Sequence, residues 1–143
     1  MTMTAASTAS SASIRQVSSI ALWTGRIMSG LVVAFLLFDG ALKVVPLDVV
    51  LTTQAELGIP AHLARTLGIL TMICAALYAI PKTSVLGAIL LTGYLGGAVY
   101  THLRVDSPLF SHVLFGVYLG VLAWGGLYLR DQRVRALIPW KRG

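Results

Sequence analysis

The sequence predicts an all-α integral membrane protein: an antiparallel four-helix bundle with a short interfacial helix between its first and second membrane helices. Hydrophobic residues make up 57% of the 143 residues and charged residues only 11%, less than half the share of about 25% that soluble domains carry. Four apolar stretches fill most of the chain, each close to the roughly 17–25 residues that a helix needs to cross a bilayer. They run over residues 22–45, 63–80, 84–101 and 109–129.

The first apolar stretch, 22–45, carries charged residues at both of its ends. Arg26 lies near its beginning, and Asp39 and Lys43 lie near its end. The spacing of four residues places Asp39 and Lys43 on one face of a helix, where the two side chains can pair. A charge inside or beside a membrane is costly and tends to mark function, so we expect Asp39 to belong to a functional site.

A segment bounded by Pro46 and Pro60 separates the first apolar stretch from the second. Gly58, two residues before Pro60, is typical of a residue that ends a helix. We therefore predict a short interfacial helix that lies over the mouth of the bundle. The residues expected to face the bundle are Leu47, Val50, Leu51 and Leu57.

Short connections join the remaining membrane helices, and polar tails flank the bundle. Pro81 ends the second helix within the turn 80–83, and residues 102–108 connect the third helix to the fourth. Such short connections make successive helices antiparallel neighbours. Residues 1–20 are predicted to be a disordered cytoplasmic tail, residues 21–130 the transmembrane domain, and residues 131–143 a basic cytoplasmic tail.

Basic residues are distributed unevenly over the two sides of the predicted membrane. A chain that crosses four times has both termini on one side, and eight of the eleven basic residues lie there: Arg15, Arg26, Lys82, Arg130, Arg133, Arg135, Lys141 and Arg142. Cytoplasmic loops carry an excess of Lys and Arg, so both termini are predicted to lie in the cytoplasm, with the bundle in the cell inner membrane. This distribution explains the net charge of +6 through contact with the lipid bilayer, and no nucleic-acid partner is predicted.

The opposite, outer side holds all three histidines and four of the five acidic residues. His102 and His112 flank one short loop, and each shares a helix face with a pair of glycines, so both are expected to point into the bundle. The pairs are Gly93 with Gly97 and Gly116 with Gly120. Histidine and a partly buried carboxylate can exchange protons near neutral pH. Asp39, His102 and His112 are therefore the predicted acid–base residues.

Four further residues complete the predicted site as binding residues: Lys43, Arg65, Tyr94 and Arg104. Tyr94 lies near the middle of the membrane on the His102 face, where its hydroxyl needs a partner. The basic residues can balance Asp39, although a cation at a helix end can also extend to lipid phosphates.

Two histidines could hold a metal or haem, but the sequence argues against such a site. Cys74 is the only cysteine, so an internal disulfide and a cysteine-based metal site are both excluded within one chain. No HExxH spacing is present either. No metal site is therefore predicted.

Several segments resemble the DoxX-like family of small membrane proteins. The most specific is the run GAILLTGYLGGA over residues 87–98, which continues to His102-Leu103-Arg104. Weaker similarity lies in Phe38-Asp39-Gly40-Ala41, Glu56-Leu57-Gly58-Ile59-Pro60 and Trp124-Gly125-Gly126-Leu127. The resemblance covers about residues 25–139 and implies a four-helix protein of the bacterial inner membrane. Relatives in the wider group are associated with membrane redox systems, including a small subunit of a thiosulfate:quinone oxidoreductase, which implies a quinone as a candidate ligand.

Two functions from different classes fit the sequence. In the first, the protein is an accessory or small-molecule-binding component of a membrane redox system, with a quinone or another lipophile as its ligand. In the second, it is a small membrane enzyme that performs isomerisation or epoxide opening at the Asp39–His102–His112 cluster. The first is preferred because no motif is tied to a reaction, whereas a pocket above Tyr94 that is continuous with the bilayer would favour the enzyme. The small-residue faces also predict a homo-oligomer or a membrane complex.

Overall fold

The computed structural model describes residues 18–45 and 47–138, and within these ranges the chain is helical and has no strand. The helices are α1 (Ser19–Val44), α2 (Asp48–Glu56), α3 (Leu63–Ala79), α4 (Ser84–Arg104), α5 (Phe115–Arg130) and α6 (Gln132–Leu137). A π-helical turn, Leu109–Val113, precedes α5. The predicted all-α class is thereby confirmed.

Three helical segments are long and apolar enough to cross a membrane. They are α1, α4 and the continuous segment Leu109–Arg130, which joins the π-helical turn to α5. The helix α3 is equally apolar in character but shorter, at 17 residues. Large apolar side chains such as Trp23, Leu31 and Ile73 are more than half exposed, as expected for helices whose outer faces meet lipid.

The long helices contact one another in pairs: α1 packs against α3 and α5, and α4 packs against the same two helices. Two pairs of glycines allow α1 to approach its neighbours closely. A Cβ atom added at Gly68 would lie 2.7 Å from the carbonyl oxygen of Gly40, and one added at Gly25 would lie 2.8 Å from that of Gly126. Both distances are too short for any side chain, so these four positions hold α1 against α3 and α5.

Tyr78 connects three helices through the centre of the core. Its side chain is fully buried, and its hydroxyl donates to the carbonyl oxygen of Ala123 at 2.7 Å. Because that bond uses the only hydroxyl proton, Ser29 is the donor in the 2.9 Å bond between its Oγ and the Tyr78 hydroxyl. Arg130 donates to the backbone oxygen of Tyr78 at 2.9 Å. These bonds join Ser29 of α1, Tyr78 of α3 and two residues of α5, Ala123 and Arg130, through one buried side chain.

The glycine faces of α4 and α5 behave differently from the prediction. Gly116 packs against Val99 and Leu95 as a close-contact position. Gly93, Gly97 and Gly120, by contrast, have nothing within 4 Å of a built Cβ atom. Gly93 and Gly97 on the His102 face of α4 therefore do not make the expected close contact with a neighbouring helix, although Tyr94 on the same face bonds to Lys43 of α1. Small residues permit a close approach of two helices, but they do not require one, and here the glycines border open space.

The predicted helix between Pro46 and Pro60 is present as α2. Gly58 follows it with φ at +67°, a left-handed conformation that glycine adopts without a steric penalty. Of the four residues expected to face the bundle, Val50 and Leu57 do so, Leu51 is half-buried, and Leu47 is 44% exposed. Pro46 lies outside the described residues.

Both ends of the described chain add helix to what the sequence predicted. The helix α1 already begins at Ser19, and residues 1–17 of the predicted disordered tail lie outside the described residues. Within the predicted basic tail, Gln132–Leu137 form α6. The Asp131 side chain caps it by accepting from the Arg133 backbone amide at 2.9 Å. Residues 139–143 also lie outside the described part.

Candidate functional site

A cavity of about 680 Å³ lies between α1, α2, α3 and α4. We call it the α2 cavity, because residues 49–57 of α2 and its C-terminal turn form its cover. Its walls are mainly aliphatic, and its volume falls in the range typical of small-molecule sites, about 300–1,000 Å³. The polar side chains in its lining are Asp39, Lys43, Thr53, Gln54, Tyr94, Thr101 and His102.

An ion pair with a bound hydroxyl forms the α1 side of the cavity. Lys43 Nζ donates to Asp39 Oδ2 at 2.5 Å and to the Tyr94 hydroxyl at 3.2 Å. The side chains of Lys43 and Asp39 are 21% and 30% exposed, so both charges are partly removed from solvent and compensate each other. Because the Tyr94 oxygen accepts from Lys43, its own proton stays available to donate, and it has no protein acceptor within residues 18–45 and 47–138.

The two predicted histidines do meet, but only one of them reaches the cavity. The ring centroids of His102 and His112 lie 5.6 Å apart across the loop. His102 lines the cavity, and its Nδ1 lies 3.1 Å from Ser107 Oγ. His112 is exposed, lies outside the lining and places its Nδ1 2.8 Å from Ser111 Oγ.

The three predicted acid–base residues are therefore split between two places. Asp39 and His102 line the same cavity, yet the described chain shows no hydrogen bond from Asp39 to either histidine, and its partner is Lys43. In the described ranges no group of three or more His, Cys, Asp or Glu side chains is placed to hold a metal ion.

The predicted binding residues also divide. Lys43 and Tyr94 line the cavity, whereas Arg65 is exposed and does not. Arg104 lies outside the lining as well, but it donates to the backbone oxygen of Leu57 at 2.6 Å. This bond ties the C-terminal turn of α2 to the end of α4, so Arg104 holds the cover of the cavity in place.

Sequence reasoning missed Gln54. This residue of α2 lines the cavity and is only 4% exposed. Neither its Nε2 nor its Oε1 has a hydrogen-bond partner within the described ranges. The sequence did contain a signal, because Val50 and Leu57 lie four residues before and three residues after Gln54 and share its helix face. A lone amide between two apolar residues on the inward face marks an unusual buried polar group.

Comparison with known proteins gives one result that bears on this geometry. The sequence pattern of the DoxX-like family matches residues 27–126, a range that runs from α1 into α5 and contains the whole α2 cavity. No curated protein and no solved structure matches the chain. The family match confirms the resemblance noted in the sequence, and together with the apolar helices it fits a membrane protein.

Proposed function

The chain belongs to the DoxX-like family, and we propose that it is a multi-pass membrane protein that binds a lipophilic small molecule in the α2 cavity. The observation that carries this proposal is the cavity itself: about 680 Å³ of mainly aliphatic wall beside an internally compensated ion pair and a free hydroxyl proton. Sites for small molecules combine an apolar lining with a few placed polar groups in this way.

The membrane arrangement we propose has four crossings in an antiparallel bundle, made by α1, α3, α4 and the segment Leu109–Arg130. The 17 residues of α3 extend about 26 Å at the helical rise of roughly 1.5 Å per residue, close to the hydrocarbon thickness of about 30 Å. The basic residues near both ends of the chain support cytoplasmic termini in the cell inner membrane. Reporter fusions at residue 143 and within α2 should report inside and outside, and an external C-terminus would overturn this topology.

The lipophile belongs, in this proposal, to a membrane redox system in which the protein is an accessory component, and a quinone is the first candidate. The aliphatic walls suit its ring substituents and tail, and the Tyr94 hydroxyl can donate to a carbonyl oxygen.

The binding test uses purified protein in lipid nanodiscs and a ubiquinone analogue with one isoprene unit, followed by equilibrium dialysis. Wild-type protein should bind the probe, and Tyr94→Phe should weaken binding about fivefold, the loss of one hydrogen bond. Tyr118→Phe is the matched control, because Tyr118 is 46% exposed on α5 and lies outside the cavity. Probe retention equal to that of empty nanodiscs would contradict the proposal.

A second candidate function is enzymatic, and one observation favours it: Asp39 and His102 line the same ligand-sized cavity. Such a pair could supply a base and an acid to opposite ends of a lipophilic substrate. Incubation with 1,2-epoxydodecane tests this alternative, with diol formation as the readout. His102→Gln should then lower the rate about 10²–10⁴-fold, and the absence of diol from wild-type protein would exclude epoxide opening.

Self-association is part of the same proposal. A groove of about 440 Å³ is lined by α4 and α5 on a face that is separate from the α2 cavity. Gly96 and Gly120 leave the helix backbones uncovered there. Membrane helices associate over such surfaces by close packing. Mass measurement in mild detergent should detect an oligomer that Gly120→Leu dissociates, and a monomer at every concentration would count against it.

A further inference from the structure

We infer that the ligand of the α2 cavity has a neutral head group that offers both a hydrogen-bond donor and a hydrogen-bond acceptor, and that Gln54 recognises it. The inference rests on the proposed function and narrows it: the cavity should hold a hydroquinone more tightly than the corresponding quinone, and a carboxamide or an alcohol more tightly than an ester.

The side-chain amide of Gln54 is buried without a hydrogen-bond partner in the described chain. A buried amide that lacks partners destabilises a protein, and native structures keep few such groups. Both polar atoms of Gln54 are unpaired within the described ranges although only 4% of the residue is exposed. The side chain borders the α2 cavity, and in this proposal the amide turns towards that space when a ligand binds. A ligand there would satisfy both atoms.

Most of the other polar side chains of the cavity already use hydrogen bonds within the protein. Thr53 and Thr101 donate their hydroxyl protons to the backbone oxygens of Val49 and Gly97, at 2.9 and 2.8 Å. Asp39 and Lys43 bond to each other. Unused hydrogen-bonding capacity remains on the Gln54 amide, the Tyr94 hydroxyl proton, the second ring nitrogen of His102 and Asp39 Oδ1, and of these only the Gln54 amide offers both a donor and an acceptor.

The charged side chains that line the cavity, Asp39 and Lys43, determine which head groups it can hold. Asp39 and Lys43 carry opposite charges, and Asp39 Oδ2 lies 2.5 Å from Lys43 Nζ. The pair therefore offers no uncompensated charge to a ligand. An ionic head group would enter an apolar space without a counter-ion, which is strongly unfavourable. The cavity therefore favours a neutral head group.

The side-chain amide of Gln54 presents an N–H donor and a C=O acceptor at its end. A head group that offers both a donor and an acceptor, such as the N–H and C=O of a carboxamide or the hydroxyl of an alcohol, satisfies both. An ester or a quinone carbonyl can only accept, and it would leave Gln54 Oε1 unpaired at the cost of a buried acceptor.

The test compares decanamide with methyl decanoate, which share a ten-carbon acyl chain but differ in the donor. Equilibrium dialysis uses the full chain in nanodiscs, with empty nanodiscs subtracted. Wild-type protein should bind decanamide at least about tenfold more tightly than the ester. Gln54→Leu and Gln54→Met should both abolish that preference, because neither side chain can pair with the donor and the acceptor of the carboxamide. Gln132→Leu, an exposed glutamine on α6, should keep it.

The outcomes separate the two proposals. Equal binding of both probes by wild-type protein, or a preference that survives in both Gln54 variants, overturns this inference and leaves the binding function standing. If wild-type protein binds neither decanamide nor methyl decanoate, this inference and the proposed binding function are both overturned. If Gln54 has only a packing role, the variants will change thermal stability without changing the ratio of the two affinities.

Discussion

The ion pair between Asp39 and Lys43 gives the most quantitative test of how the cavity wall is held together. Asp39→Ala removes the only carboxylate within salt-bridge distance of Lys43 in the described chain. Breaking a fully buried pair costs about 3–5 kcal/mol because one charge stays buried alone. The two side chains are still 21% and 30% exposed, so solvent screening reduces this to about 1.5–3 kcal/mol.

The assay is thermal or chemical unfolding of the purified protein in detergent, followed by circular dichroism. Asp39→Asn should cost less than Asp39→Ala, because the amide retains a hydrogen-bond acceptor for Lys43. The double variant Asp39→Ala with Lys43→Met should recover much of the loss, since no uncompensated charge remains. Glu56→Ala is the control: Glu56 is exposed and has no salt-bridge partner in the described chain. If the double variant is as unstable as the sum of its single variants, the pair is not coupled and the reasoning is refuted.

Three further predictions concern the packing of the long helices and the N-terminal cap of α6. Gly68→Ala should lower the free energy of unfolding by about 1–3 kcal/mol, because its Cβ would lie 2.7 Å from the Gly40 oxygen. Tyr78→Phe should cost about 1–2 kcal/mol in the same unfolding assay, since it removes a hydroxyl with two buried partners. The hydrogen bond from the Arg133 side chain holds the pKa of Asp131 below its usual range. The resulting stability of α6 is therefore fully present above the ordinary aspartate pKa and is lost as the pH falls through the lower folded value, which amide exchange at Val134 would measure.

Each of these predictions has a matched control. Gly30→Ala should be neutral or stabilising by about 0.5–1 kcal/mol, because Gly30 has nothing within 4 Å of a built Cβ atom. Tyr118→Phe should leave stability unchanged, since that side chain is 46% exposed. Asp131→Asn should make the protection factor for amide exchange at Val134 independent of pH in the acidic range, once the intrinsic pH dependence of exchange is divided out. A destabilised Gly30 variant, or an unchanged pH profile in Asp131→Asn, would contradict the corresponding account.

The helices and the ion pair could be predicted from the sequence because both depend on local spacing. Apolar length locates membrane helices, and a separation of four residues puts Asp39 beside Lys43 whatever surrounds them.

The cavity could not be predicted, because it depends on distances between helices that no local pattern encodes. Gly97 and Gly68 have the same side chain, yet Gly68 contacts α1 and Gly97 borders open space. Gln54 was missed because its burial depends on how α2 covers the cavity. The local signal is limited to Val50 and Leu57, the apolar residues on the same helix face.

The central claim, that a lipophile occupies the α2 cavity, is tested most directly by filling that cavity. Gly97 lines it and has nothing within 4 Å of a built Cβ atom, so Gly97→Leu should fold and project a side chain into the ligand space. Gly30→Leu adds the same side chain at an equally open position outside the cavity. Native mass spectrometry of proteins purified from their membranes should find a bound small molecule on wild-type protein and Gly30→Leu but not on Gly97→Leu. Equal occupancy of all three proteins, or no bound molecule on any of them, would contradict the claim.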